Sequence, residues 1–225
     1  MKPRNIFLVR HGESEGNVDP DAYASKPDYM LLLTSAGVSQ ASAVGHELAS
    51  IMPSNEGVMF YISPLWRSRM TYEVIARHFE GRRTQLREDP RIREQEWGHL
   101  RDSAALSEID EQRDSFGKFY YRIKDGESCA DVFDRVSDFM NSLHRDFEKL
   151  DYPENVVLVT HGTTVRLFVM KWFHMLVEEF ESLANPGNCD VLQLSLNAQS
   201  SKYTLTTELK RKEVPRQFMY EWGKV

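Results

Sequence analysis

Two apolar runs in this chain end in the same His-Gly dipeptide, and that repetition constrains the fold more than any other feature. Ile6-Phe7-Leu8-Val9 leads into Arg10-His11-Gly12, and Val156-Val157-Leu158-Val159-Thr160 leads into His161-Gly162. A run without polar alternation marks a strand buried on both faces, as in a parallel sheet covered by helices. Helical and strand-like stretches alternate along the rest of the 225 residues, so the expected class is α/β with a mostly parallel central sheet. In open sheets of that kind ligands bind beyond the C-terminal ends of the strands. Both histidines are expected there, each followed by a glycine that lets the backbone come close to a ligand.

The pattern predicts strands over 5–9, 57–63, 82–87, 155–160, 189–195 and 202–207. It predicts helices from Thr34 or Ser35 to about Ile51, from Pro64 to about Phe79, from Cys129 to Leu150, and from about Thr163 to His174. Proline suits the first turn of the second of these. Val18 to Leu33, with Pro20 and Pro27, reads as a loop longer than an ordinary connection. Asp89 to Arg101 reads as an irregular loop and Ala104 to Arg122 as short helices forming a lid. The expected organisation is one domain over 1–225, with a cap insertion at about 100–125 and a C-terminal appendage at about 210–225.

Several classes of function are disfavoured at once. Cys129 and Cys189 are the only cysteines and lack metal-type spacing, so neither a disulfide framework nor a zinc site is expected. The net charge of −6 argues against nucleic acid or a membrane surface as partner. No run approaches the roughly 18 apolar residues of a membrane span. Met1-Lys2-Pro3-Arg4 leads straight into a strand, which fits a cytoplasmic protein. A homodimer is compatible with the sequence.

The chemistry is concentrated beside the histidines. Arg10 offers a permanent positive fork matched to phosphate oxygens. His11 offers a ring nitrogen that is neutral and nucleophilic near pH 7. Together they point to phosphoryl transfer on a histidine. Three further segments extend the pattern: Ser63-Pro64-Leu65-Trp66-Arg67, Arg93-Glu94-Gln95-Glu96-Trp97-Gly98, and Val159-Thr160-His161-Gly162-Thr163. With these in order, the chain resembles the histidine phosphatase superfamily, the phosphoglycerate-mutase-like family, from about Asn5 to about Asn197. The resemblance implies a three-layer α/β/α sandwich with a small helical cap. It also implies phosphatase chemistry on a small phosphorylated substrate, with no cofactor and no metal.

Carried onto this sequence, the resemblance makes His11 the histidine that is phosphorylated and then hydrolysed. Arg10, Arg67 and His161 become the phosphate clamp, and Asn17 a neutral donor to the same group. Gly162 permits close approach at a helix N-terminus, where an anion is favoured. Glu94, four residues before Gly98, is the expected general acid, with Glu96 as its rival. An acid in that role predicts an acidic-to-neutral pH optimum. Of the other arginines near the motifs, Arg91, Arg93, Arg101 and Arg166 among them, most are expected as solvated surface charges. Tyr23, with Lys26 and Tyr29 in the long loop and Phe116, Tyr120 and Arg122 in the cap, is the candidate for substrate discrimination. Gly126-Glu127-Ser128 is read as structural, with Ser128 capping a helix.

Two rivals remain. A cofactor-dependent phosphoglycerate mutase would return the phosphoryl group to a bound intermediate. In such mutases the resemblance implies a longer basic insertion before Gly126 and a tryptophan where this chain has Gly16. The other rival is a catalytically inactive phospho-ligand binding module, although His11, Arg10, Arg67, Glu94 and His161 are all present.

Overall fold

In a computed structural model of the protein, which describes residues 2–99 and 103–213, six strands form one sheet. They are β1 (Asn5–Arg10), β2 (Val58–Ile62), β3 (Thr84–Glu88), β4 (Asn155–Thr160), β5 (Val191–Leu196) and β6 (Tyr203–Leu205). The spatial order is β3-β2-β4-β1-β5-β6. The first four strands are mutually parallel, while β5 runs antiparallel to β1 and β6 to β5. The helices are α1 (Glu15–Val18), α2 (Ala22–Ser25), α3 (Ser35–Ile51), α4 (Trp66–Ala76), α5 (Ser103–Phe116), α6 (Cys129–Phe147), α7 (Gly162–Trp172) and α8 (Val177–Ser182).

Side chains alternate across a strand, and here both faces are apolar. Ile6, Leu8, Val156 and Leu158 pack with Val136, Phe139 and Leu143 of α6 and Phe168 of α7. Phe7, Val9, Phe60 and Val157 pack with Val44 and Leu48 of α3 and Ile75 of α4. The result is the expected three-layer sandwich. Burying each of these side chains contributes about 1.5–3 kcal/mol.

Register decides where the chemistry sits. β1 and β4 pair residue for residue from Asn5 with Asn155 to Arg10 with Thr160. The next residues, His11 and His161, therefore leave the sheet side by side, and the His11 N–H donates to the Thr160 carbonyl at 2.9 Å.

The observed elements depart from expectation at their edges. The 18–33 stretch is not a plain loop: it carries α2 and a 3-10 turn at Asp28–Met30, and α1 ends at Val18. The 104–122 stretch, expected as short helices forming a lid, carries one helix, α5, which ends at Phe116. Helix α7 starts one residue early because His161, in an extended conformation, is its N-cap. Thr34 and Ser128 cap α3 and α6 as read, accepting from the N–H of Gly37 and of Asp131. Lys210–Lys212 does not stand apart as an appendage, because it is stitched to 182–184 by the Ala184 and Lys212 N–H groups. Arg101, the first residues of the expected cap insertion and 214–225 lie outside the described residues. Among the described residues no helix is long and apolar enough to cross a membrane.

Candidate active site

The turn after β1 is clamped between two helices. A Cβ on Gly12 would lie 2.6 Å from the Gly37 carbonyl of α3, so only glycine fits there. The Gly12 N–H donates to Thr71 Oγ1 of α4 at 3.0 Å. His11, 3 % exposed, has its Nδ1 2.7 Å from the Gly12 carbonyl. A carbonyl can only accept, so Nδ1 carries the ring proton and Nε2 keeps its lone pair. Burial holds the imidazole pKa well below its ordinary value, and Arg67 and Arg10 push it the same way, against the pull of the Gly12 carbonyl. The ring is therefore held neutral, with its lone pair on Nε2.

His161 packs against it, with ring centroids 5.1 Å apart. Ser63 Oγ lies 2.7 Å and Ser68 Oγ 3.4 Å from its Nε2. Its Nδ1 is buried without a partner among the described residues. That atom is 3.9 Å from Glu94 Oε2. Burial, then Arg67 and His11, hold the His161 pKa well below its ordinary value as well. His161 lies behind His11 and Glu94 and does not itself line the open cavity.

Arg67, 2 % exposed, is brought in by α4. Arg10 donates to the Pro186 carbonyl at 2.7 Å, and its Nε is buried and unpartnered among the described residues. Arg67 pairs with the Asp28 carboxylate at 2.9 Å and donates to the Asp28 carbonyl at 2.8 Å. The sequence reading had no place for Asp28.

Glu94 faces this group from the acid loop. Arg135 of α6 holds that loop, donating to the carbonyls of Arg91, Arg93 and Glu94 while paired with Glu127. Glu127 also accepts from the Glu96 N–H, so the Gly126-Glu127-Ser128 segment fixes the acid loop besides starting a helix. Burial raises the Glu94 pKa, and the Gln95 N–H, Arg67 and Arg10 only partly offset it. Glu96 also lines the cavity, but it is exposed and paired with Arg93 at 3.2 Å. The two carboxylates are thereby distinguished: one is desolvated, the other solvated.

Asn17 Oδ1 accepts from Ser14 and from Asn188 Nδ2, which leaves its NH₂ as the end able to donate to a ligand. Tyr23 lies across Gly16, where a Cβ would come within 2.6 Å of the phenol ring. These residues and Gly162 line a cavity of about 950 Å³.

Other expectations fail. Tyr29, Phe116, Tyr120 and Arg122 do not line this cavity. Tyr29 is exposed against Trp66, and Arg122 is paired with Asp131. Arg166, expected among surface charges, is 6 % exposed and does line it, as do Arg113, Lys118 and Lys212. For Arg166 a signal existed: it follows Gly162 by four residues and so shares its helical face.

Residues 6–208 match the histidine phosphatase superfamily, branch 1. Phosphoglycerate mutase-like protein AT74 of Arabidopsis thaliana is 43% identical over 217 residues, covering 91% of this chain and 68% of that relative. Broad-range acid phosphatase DET1 of Saccharomyces cerevisiae is 27% identical, covering 92% and 90%. A mycobacterial glucosyl-3-phosphoglycerate phosphatase in complex with VO3 shares the fold with a TM-score of 0.73 at 23% identity, covering 92% and 99%. Two histidines delivered by adjacent parallel strands, two guanidinium groups and a desolvated carboxylate agree with that match: the chain belongs to the histidine phosphatase superfamily.

Proposed function

We propose that the protein is a phosphatase that hydrolyses a small phosphomonoester through a phosphohistidine intermediate on His11. The observation that carries the reading is the locked tautomer: Nδ1 is committed to the Gly12 carbonyl, so Nε2 meets phosphorus as a lone pair. Arg10 and Arg67 neutralise the equatorial oxygens and the Asn17 amide donates to them, while His161 backs the His11 ring. In the first step the Nε2–P bond forms while the P–O bond to the alcohol breaks, and the Glu94 carboxyl gives its proton to the leaving oxygen. In the second step the Glu94 carboxylate takes a proton from water. That water's oxygen attacks phosphorus, the N–P bond breaks, and inorganic phosphate leaves with the imidazole neutral again.

The pKa directions set the pH dependence. His11 is depressed, so it stays neutral and competent well into the acid range. Glu94 is raised, so its protonated form persists further toward neutral pH, and the rate falls as pH climbs through its pKa. The expected profile is an acidic-to-neutral optimum with an alkaline decline.

The decisive experiment is rapid quench with a ³²P-labelled aryl phosphate. The parent should yield an acid-labile protein adduct and burst kinetics, both absent from His11→Ala. An equally fast His11→Ala variant would end the reading. The rival, return of the phosphoryl group to a bound intermediate, is separated by the product: free phosphate from an aryl ester, or interconversion of phosphoglycerates.

A further inference from the structure

The connection from α8 to β5 passes behind the site, and its positions 186–189 touch Arg10, His11 and Asn17. The Pro186 carbonyl accepts from Arg10 at 2.7 Å. Asn188 Nδ2 lies 3.1 Å from the His11 carbonyl and 3.0 Å from Asn17 Oδ1. The Cys189 N–H donates to the carbonyls of Arg10 at 3.1 Å and of His11 at 3.3 Å. Cys189 has a φ of 59°, a left-handed conformation that a non-glycine residue keeps only where its surroundings hold it. Here those two carbonyls hold it. The Gly187 N–H donates to the Asp190 carboxylate at 2.6 Å and the Asp190 N–H to the Gly187 carbonyl at 3.0 Å, which closes the turn around Asn188.

The chemistry of the partners fixes how both amides face. A carbonyl only accepts, so Asn188 turns its NH₂ toward His11, and the second hydrogen of that NH₂ goes to Asn17. A backbone N–H only donates, so the Ser14 N–H, 3.0 Å from Asn17 Oδ1, holds that oxygen away from the cavity side. What Asn17 shows to the cavity it lines is therefore its own NH₂. Asn188 is half-buried and is not among the residues lining the cavity. Any effect it has on a ligand passes through Asn17 and the main chain of His11. Without Asn188, Asn17 Oδ1 keeps only its contacts with Ser14, a residue of its own turn. Helix α1, which carries Asn17, would then lose its link through this amide to the strand end that carries His11.

We propose that Asn188 is a positioning residue: its carboxamide ties the main chain of the nucleophile His11 to the Asn17 amide, and so sets how Asn17 donates to a phosphoryl oxygen held beside His11. This rests on the phosphatase reading and adds to it the group that orients one of the phosphate donors. Both hydrogen bonds leave from one nitrogen, so the two acceptors are held in fixed relation to each other. A donor aimed in advance loses little freedom when the ligand arrives, which is how preorganisation turns into affinity.

The test is a double-mutant cycle of Asn17→Ala and Asn188→Ala, read as calorimetric affinity for inorganic phosphate. In the parent background Asn188→Ala should weaken binding about fivefold, the worth of one oriented hydrogen bond. In the Asn17→Ala background the same substitution should change affinity by less than about twofold, because the donor that Asn188 orients is gone. A purely structural role lowers affinity by the same factor in both backgrounds, and that result overturns the proposal. Unchanged affinity in Asn188→Ala overturns it too, as does a parent that binds no phosphate. Asn188→Leu, which keeps the width of the side chain and removes the donor, runs through the same cycle and should repeat the pattern if the alanine variant disturbs the turn. Turnover is measured separately. A parent that binds phosphate but releases none from an aryl ester ends the phosphatase reading, and the cycle still decides the coupling.

Discussion

At the scale of single residues, the site separates groups of the same kind by where the chain buries them. Glu94 and Glu96 are two positions apart, yet burial raises the Glu94 pKa while Arg93 holds Glu96 at the surface. If Glu94 is the acid, Glu94→Gln should cost about 10²–10⁴ in rate on an alkyl phosphate. The loss should be much smaller on p-nitrophenyl phosphate, whose leaving group departs without a proton, and the alkaline decline should vanish from the pH profile. Equal losses on both esters would move the acid role elsewhere. His11, Arg10 and His161 were legible in the sequence because each borders a strand end that apolar patterning marks plainly. Arg166 was harder to read: α7 is buried over nine consecutive residues, so only its spacing of four from Gly162 marks the face it occupies.

At the scale of elements, α3, α4 and α6 were readable because each buries one face, and β1, β2 and β4 because each is a continuous buried apolar run. The segment between β1 and α3 was not. Its helices α1 and α2 are four residues each, too short for a 3.6-residue period to repeat, and tertiary contacts decide their course. What that segment delivers to the site is Asp28, whose carboxylate holds Arg67 at 2.9 Å. A phosphate approaching His11 must compete with it for the same guanidinium. Asp28→Asn removes the competing charge and leaves the carbonyl contact to Arg67, so inorganic phosphate should inhibit about two- to fivefold more tightly, the range of a half-exposed ion pair. Measuring Ki against an aryl phosphate checks this. A weaker Ki would mean that Asp28 serves to hold Arg67 in place for the ligand.

At the scale of the whole molecule, the parallel register that sets two histidines side by side also makes stability depend on pH. His11 and His161 are both buried and both have depressed pKa values, so each takes up its proton at lower pH in the folded state than in the unfolded chain. In the unfolded chain each titrates near 6.5. The sign follows directly: the stability these neutral rings allow is fully present above 6.5 and is lost as pH falls from there toward the folded values. Below 6.5 the unfolded state binds one more proton per histidine, so each ring costs about 1.4 kcal/mol per pH unit. Urea midpoints for the parent should therefore fall steeply from pH 6.5 to 5. The variant His161→Gln keeps a polar side chain of similar reach but cannot titrate, and its slope over that interval should be shallower than the parent's by about that one-histidine amount. Parallel slopes for parent and variant would show that His161 takes up its proton inside the folded protein. The desolvated cluster of imidazoles and guanidinium groups would then not hold its charge state as the geometry requires.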